Sequence, residues 1–424
     1  MYKKGFRCRV CTGCGLCPGV QLTERAGVKL HVLSDEQGNG KSDSQSGQTE
    51  INGADDERIV HKEFEHWLAA VDIGTTTIAM LLYNTKGLVE DRFVTVNPQT
   101  EYGADVISRI RAAEIPENAV KLQRLVREAL EQGMTRFRKR VPTGEKLQGI
   151  IAANTVMSYL FMGWDTKELG YAPFQATRLQ AARTKVAGVP CFLFPGISAF
   201  VGGDIVAGMY ACNLWREQQI TLLIDLGTNG ELVLGNQEKR IACATAAGPA
   251  FEGGVNRGIW GADMIHLVAT LRREGILDET GLLSDEFFES GVRIGNVPVT
   301  QEAIRSLQLA KAAIAVGIET LLAKYGISEE QVDRVVLAGG FGYYLIPEDA
   351  IEIGLLPGSF AGRILTGGNT ALAGVKRLWA EAEADGMSEQ EMEELLLQVV
   401  KGTDSLLLAS EEEFGPRYLE HLQF

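Results

Sequence analysis

The stretch VDIGTTTIAM at residues 71–80 returns in altered form as IDLGTNGELV at 224–233. Each copy has an apolar run ending in aspartate, Asp72 or Asp225, then a Gly-Thr turn and a second apolar run. In the wider blocks, 67–96 and 221–246, a third strand-like run follows a polar turn. Each block reads as a three-stranded meander whose first hairpin closes at the Gly-Thr turn. Helical periods come after each: Ala119 to Val141 and Thr300 to Tyr325 carry apolar residues three and four apart. Ser388 precedes Glu391 by three, which predicts a capping box for a helix over Met392 to Val400. A meander plus helices, occurring twice, predicts an α/β chain of two similar lobes with duplicated mixed sheets, 66–215 and 216–424, the second carrying the C-terminal helices.

The chain of 424 residues is 45% hydrophobic, enough for sizeable cores. Its net charge is −14, from 41 basic and 55 acidic residues, with no basic cluster. That balance argues against nucleic acid or an anionic membrane as partner. The start is basic but leads into Cys, Gly and Arg rather than an apolar stretch, so no signal peptide is expected. The run Ile150 to Trp164 is broken by Asn154, Thr155 and Ser158 and is too short to span a bilayer. A cytoplasmic protein is the expectation, and seven cysteines there suggest metal or redox chemistry rather than disulfides.

Four of those cysteines, Cys8, Cys11, Cys14 and Cys17, fall at three-residue intervals, and Pro18 follows. Thiolates so spaced on a short Gly-containing loop can wrap a four-iron four-sulfur cluster. Bacterial ferredoxins use a similar run whose fourth cysteine stands one residue later. Zinc is the rival ligand, but structural zinc sites separate two Cys pairs by a dozen or more residues; labile or regulatory thiols are a third reading. Residues 35–57 are dominated by Ser, Gly, Gln, Asp and Asn. Such a stretch buries too little surface to offset its ordering entropy. The segment 1–20 is therefore expected to hang on a flexible linker, 21–65. Cys191, Cys212 and Cys243 sit in apolar runs and read as buried core. His61 and His66 flank the end of the linker and read as solvated.

The turns suggest chemistry. Gly74, Thr75, Thr76 and Thr77, and likewise Gly227, Thr228 and Asn229, offer backbone N–H groups and side-chain donors to phosphate oxygens. Asp72 and Asp225 can hold a hydrated divalent cation, which favours carboxylate, water and phosphate ligands. Two such turns in two lobes would close on one polyphosphate from both sides. VVLAGGFGYY at 335–344 lets backbone approach a flat ligand at Gly339, Gly340 and Phe341; a plain strand-to-helix turn is the alternative. TAAGPAFEGG at 245–254 brings Gly248 and Glu252 as a loop under a nucleotide or a structural turn. TGGNTALAG at 366–374 opens a helix, with simple capping as its plainer role. In VGGDIVAG at 201–208, Asp204 is expected to be an N-cap.

The ordered set DIGTTT, NTVMSYLFMGWD, FPGISAFVGGDIVAG, DLGTNGE, ATAAGPAFEGG, VVLAGGFG and GGNTALAG resembles the C-terminal ATPase domain of the reductive activators of corrinoid proteins. That family belongs to the acetate- and sugar-kinase, heat-shock chaperone and actin superfamily. The resemblance covers about residues 66–424 and implies a two-lobed actin-like ATPase fold. It implies that DIGTTT is the first phosphate loop with Asp72 near the metal. DLGTNGE would be the second, with Asp225 holding metal or the attacking water and Glu231 near a second acidic position. Gly339, Gly340 and Phe341 would line the adenosine pocket. Asn154 falls where the family shows Gly-Asn-Thr, Ala153 replacing that glycine. The family's plant-type ferredoxin domain is not expected here, nor the middle region of longer members.

Together these imply an ATP-dependent activator, using ATP with Mg, that returns a cobalt(II) corrinoid protein to cobalt(I) through the N-terminal cluster. Its partners would be that corrinoid protein and a low-potential donor such as a ferredoxin, and a homodimer is compatible. A small-metabolite kinase and a nucleotide-gated interaction module with a zinc-bound Cys segment are the alternatives.

Overall fold

The computed structural model describes residues 64–248, 261–294, 297–339 and 345–424. The four clustered cysteines, nearly all of the linker, Glu252, Gly340 and Phe341 lie outside the described residues.

The first meander is β1 (His66–Ile73), β2 (Thr77–Tyr83) and β3 (Val89–Val96). After it come helices α1 (Val106–Ala113) and α2 (Pro116–Arg138), strand β4 (Lys146–Ala153) and helix α3 (Thr155–Met162). Strands β5 (Ala182–Val186) and β6 (Val189–Leu193) and helix α4 (Gly203–Ala211) complete the first half. The second meander is β7 (Thr221–Leu226), β8 (Gly230–Gly235) and β9 (Arg240–Thr245). Beyond it lie α5 (Gly261–Arg273), the short α6 (Asp285–Phe288), the ribbon β10 (Val292–Ile294) and β11 (Val297–Val299), and α7 (Gln301–Tyr325). The rest is β12 (Arg334–Ala338), α8 (Pro347–Glu352), β13 (Ile364–Gly368), α9 (Thr370–Asp385), α10 (Glu389–Val400), β14 (Thr403–Leu406) and α11 (Phe414–Glu420).

Two six-stranded sheets result, ordered β3-β2-β1-β4-β6-β5 and β13-β12-β7-β8-β9-β14. The repeat seen in the sequence is a repeat of topology. In both sheets an antiparallel meander is extended by parallel strands on the side of its first strand: β4 and β6 beside β1, β12 and β13 beside β7. Strands β1 and β7 are central and covered on both faces, which is why they read as continuous apolar runs rather than alternating ones.

Three cores alternate with the sheets. On the outer face of the first sheet, Val71, Ile73, Ile78 and Met80 pack against residues of α1, α2 and α3. On the outer face of the second, Leu222, Ile224 and Leu232 pack against α5 and α7. Between the sheets, Leu68, Ala70 and Ile150 from one and Leu223, Val233 and Val336 from the other share a core with α4, α9 and α10. Helix α7 is long and apolar enough to cross a membrane by length and composition, but most of it is buried within the molecule, as a core helix is.

Helix α10 starts at Ser388 with both capping-box bonds formed. The linker expected to reach residue 65 differs at its end: Phe64 is buried, its ring 4.4 Å from that of Trp379 on α9. His66 is likewise not free in solvent. Its Nδ1 lies 2.7 Å from Glu383 of α9, because the strand enters beside that helix.

Candidate functional site

The two Gly-Thr turns meet. The first closes with Gly74 N–H donating to Thr77 O at 2.9 Å, the second with Gly227 N–H donating to Asn229 O at 2.9 Å. Across the gap the hydroxyls of Thr76 and Thr228 are hydrogen-bonded at 3.0 Å. Residues 152 positions apart are brought together because each turn ends the first hairpin of its sheet, and the sheets face one another across α4 and α9.

The first turn is held from behind by two asparagines. Asn97, fully buried, donates its Nδ2 to Gly74 O at 2.9 Å, and its backbone N–H to Thr76 O at 2.8 Å. Asn154 caps α3 by accepting from Met157 N–H at 2.9 Å and donates to Thr75 Oγ1 at 3.1 Å. Asn97 reads in the sequence as an ordinary loop residue, and Asn154 stands out only through the resemblance; the fold puts both under the turn.

At the floor lie four carboxyl groups. Asp72 and Asp225 are the penultimate residues of β1 and β7, with Glu231 directly opposite Asp225 on β8. Asp204 belongs to the first turn of α4. It is not the N-cap: that is Gly202, where a Cβ would lie 2.5 Å from Asn154 Cα, so only glycine fits against the start of α3. Burial raises all four, and repulsion from neighbouring carboxyls adds to it in Asp225, Asp204 and Glu231. Burial pushes Asp72 up to about 6. Burial and then the Asp72 charge push Asp225 up to about 7. Burial, then Asp225 and Asp72, push Asp204 up to about 8. Glu231 is raised well above its usual range by burial and by Asp204 and Asp225, against a hydrogen bond from Asn229. Like charges crowded in a low-dielectric site favour the neutral form of each.

A cation would relieve this repulsion. Among the described residues no three acidic, His or Cys side chains stand close enough to enclose an ion by themselves. The fit is to a hydrated magnesium ion, which keeps several waters and takes one or two carboxylates plus phosphate oxygens.

The remaining residues distribute unevenly. Gly339 has φ +85°, and a Cβ there would lie 2.4 Å from Leu226 O and 2.7 Å from Asp225 Oδ1. It therefore abuts the second turn and its aspartate, a closer approach to the carboxylates than an adenosine wall implies. Gly248 has φ +71° with open space around it. Asn369, in the turn whose plainer role is simple capping, caps α9 and also donates to Asp72 at 2.8 Å. Cys191, Cys212 and Cys243 are buried as expected, and burial pushes the first two thiols up to about 12 and the third further.

Paired sheets of this topology, with opposed hairpin turns over a carboxylate floor, define the actin-like fold of the acetate- and sugar-kinase, chaperone and actin ATPases. Within that class, a family model for the RACo middle region matches residues 68–217, and one for the C-terminal domain of RACo, the ASKHA domain, matches 219–257 and 254–424. The chain belongs to the RACo family, the reductive activators of corrinoid proteins.

It is 28% identical over 423 residues to the corrinoid activation enzyme RamQ of Eubacterium limosum, covering 84% of this chain and 70% of that protein. It is 23% identical to a [Co(II) methylated amine-specific corrinoid protein] reductase of Methanosarcina barkeri, covering 65% and 62%. A solved reductive activator for corrinoid, iron-sulfur protein superposes with a TM-score of 0.74 at 29% identity, over 85% of this chain and 66% of that one. The chain thus spans roughly two thirds of the length of these relatives.

Two expectations are corrected. The middle region is present and forms the first half, and the C-terminal ASKHA model covers only the second. Both halves carry the same hairpin-and-helix pattern, so their motifs had read as one domain.

Proposed function

We propose that this chain is an ATP-dependent reductive activator that returns a cobalt(II) corrinoid protein to cobalt(I). The observation that carries the nucleotide part is the Thr76–Thr228 contact over the carboxylate floor. Membership in the RACo family supports the corrinoid part. Gly74, Thr75, Thr76 and Thr77 would meet the phosphates from one side, and Gly227, Thr228 and Asn229 from the other, with Gly248 nearby. Gly340 and Phe341 would approach the adenosine, with Gly339 set against the second turn and Asp225. Asp72 and Asp225 would hold the hydrated magnesium ion, whose charge would favour the ionised form of the neighbouring Asp204, and Asp225 would hold the metal or the attacking water. When bound, magnesium supplies charge neutralisation to phosphates and carboxylates alike. Cys8, Cys11, Cys14 and Cys17 would ligate a four-iron four-sulfur cluster that carries the electron, loaded by a low-potential donor such as a ferredoxin. A cytoplasmic setting and a homodimer fit this reading.

The energetic need is considerable. Each ~59 mV uphill for one electron costs about 1.4 kcal/mol, so a gap of ~300 mV would require roughly 7 kcal/mol. Nucleotide turnover contributes by its differential affinity for open and closed lobes, and by no more than that. The polar stretch 35–57 would give the cluster a root-mean-square reach of about 25 Å.

The test uses anaerobically purified full chain, a cobalt(II) corrinoid protein, a low-potential reductant and ATP, with cobalt oxidation state read by absorbance. Cobalt(I) should form only with ATP, and Asp225→Asn should abolish it. Reduction independent of ATP, or none at all, overturns the reading. Phosphorylation of a small metabolite would point to a kinase, and zinc in place of iron to an interaction module.

A further inference from the structure

Asn369 stands in the turn between β13, an edge strand of the second sheet, and α9. Its side chain has two partners on opposite sides. The Leu372 N–H donates to its Oδ1 at 2.8 Å, and its Nδ2 donates to Asp72 Oδ2 at 2.8 Å. The orientation of the amide follows from chemistry: a backbone N–H can only donate, so the atom facing it is the oxygen and the carboxyl oxygen receives the nitrogen.

This bond joins the two halves at the crevice floor, since Asp72 lies on β1 of the first sheet. The anchor is stiff. Thr370, next in the chain, is buried, and its Oγ1 lies 3.0 Å from where a Cβ on Gly208 of α4 would be. One turn further on, a Cβ on Gly374 would lie 2.0 Å from Ala207 O, so α9 and α4 touch backbone to backbone. Helix α4 also carries Asp204. Asn369 therefore cannot shift without disturbing the helix pair packed between the sheets.

We propose that Asn369 is a positioning residue that aims the Asp72 carboxyl into the crevice and ties it to the α4–α9 pair, so that metal–nucleotide bound at Asp72 also fixes the two halves relative to each other. This rests on the nucleotide reading above, and the experiment separates the two. Asn369→Ser keeps a short side-chain acceptor for the α9 cap and lacks the amide donor; Asn369→Thr serves as a second variant. The affinity of the full chain for ADP is measured by calorimetry with and without Mg²⁺.

Loss of a hydrogen bond to a carboxylate should weaken Mg·ADP binding roughly tenfold or more, and metal-free ADP binding little. Hydrogen exchange gives the second readout: Mg·ADP should protect β1 and the first turn of α9 together in the wild type, and β1 alone in the variants. Wild-type affinity for Mg·ADP in both variants, or an equal loss with and without metal, reduces Asn369 to a helix cap and overturns the proposal. A wild-type chain that binds no ADP removes the nucleotide reading itself, and the proposal with it.

Discussion

Asp204, half-buried, and Asp349, buried, each sit in the first turn of a helix, yet they shift in opposite directions. Asp204 faces other carboxyls, and burial plus their charges raise it to about 8. Burial also pushes Asp349 up, but it faces His266 and Arg273 of α5, and their hydrogen bonds outweigh burial and hold it below the usual carboxylate range. The neighbours decide, not the position in the helix. A carboxyl depressed in the folded state contributes stability above its unfolded value of about 4, and loses it as pH falls through the folded value. Asp349→Asn should therefore lower stability at pH 7 by about 1–3 kcal/mol, an advantage of the wild type that is smaller at about pH 3, below the unfolded value. Denaturant titrations at the two pH values check this; an equal difference at both would refute it. The sequence shows Asp204 only as a residue near a helix start. Its acidic neighbours lie on β1, β7 and β8, and no local pattern announces them.

Elements were more legible than sites. The meanders, α2, α7 and α10 follow from periodicity and caps, which are local properties. What joins them is less visible. Arg240, at the start of β9, is 3% exposed and donates to the carbonyls of Asn236 and Gln237, and of Gln398, Val399 and Lys401 at the end of α10. Its Nε donates to Thr403 Oγ1 of β14 at 3.0 Å. One guanidinium thus satisfies the C-terminal carbonyls of a helix that no intrahelical donor reaches. Arg240→Met should remove the donor from the half-buried carbonyls of Gln398 and Lys401, while Val399 O keeps its bond from Thr403 Oγ1 at 3.0 Å, at a cost of about 1–3 kcal/mol. The Tm should fall by several degrees, with α10 and β14 losing exchange protection first. In the sequence, QEKRIAC is an ordinary polar turn before a strand.

On the scale of the molecule, the proposed reading assigns its two tasks to different stretches of the chain. The cysteine segment precedes the polar linker in the sequence, and the two turns and four carboxyls described here follow it. Replacing Cys8, Cys11, Cys14 and Cys17 by serine should remove bound iron and abolish corrinoid reduction, while ADP affinity stays as in the wild type. A parallel loss of ADP binding would show that the segment belongs to the nucleotide site.

From the sequence alone came the repeated Asp-Gly-Thr hairpins, the two-lobed α/β plan, the main helices and the pair Asp72 and Asp225, because each is written in residues adjacent in the chain. The tertiary structure decided the rest: the convergence of Asp204 and Glu231, the asparagines behind the first turn, the double role of Asn369 and the Thr76–Thr228 contact. These depend on which face of one sheet meets which face of the other across α4 and α9. That packing is set by long-range burial of apolar surface, to which no short stretch of sequence has access.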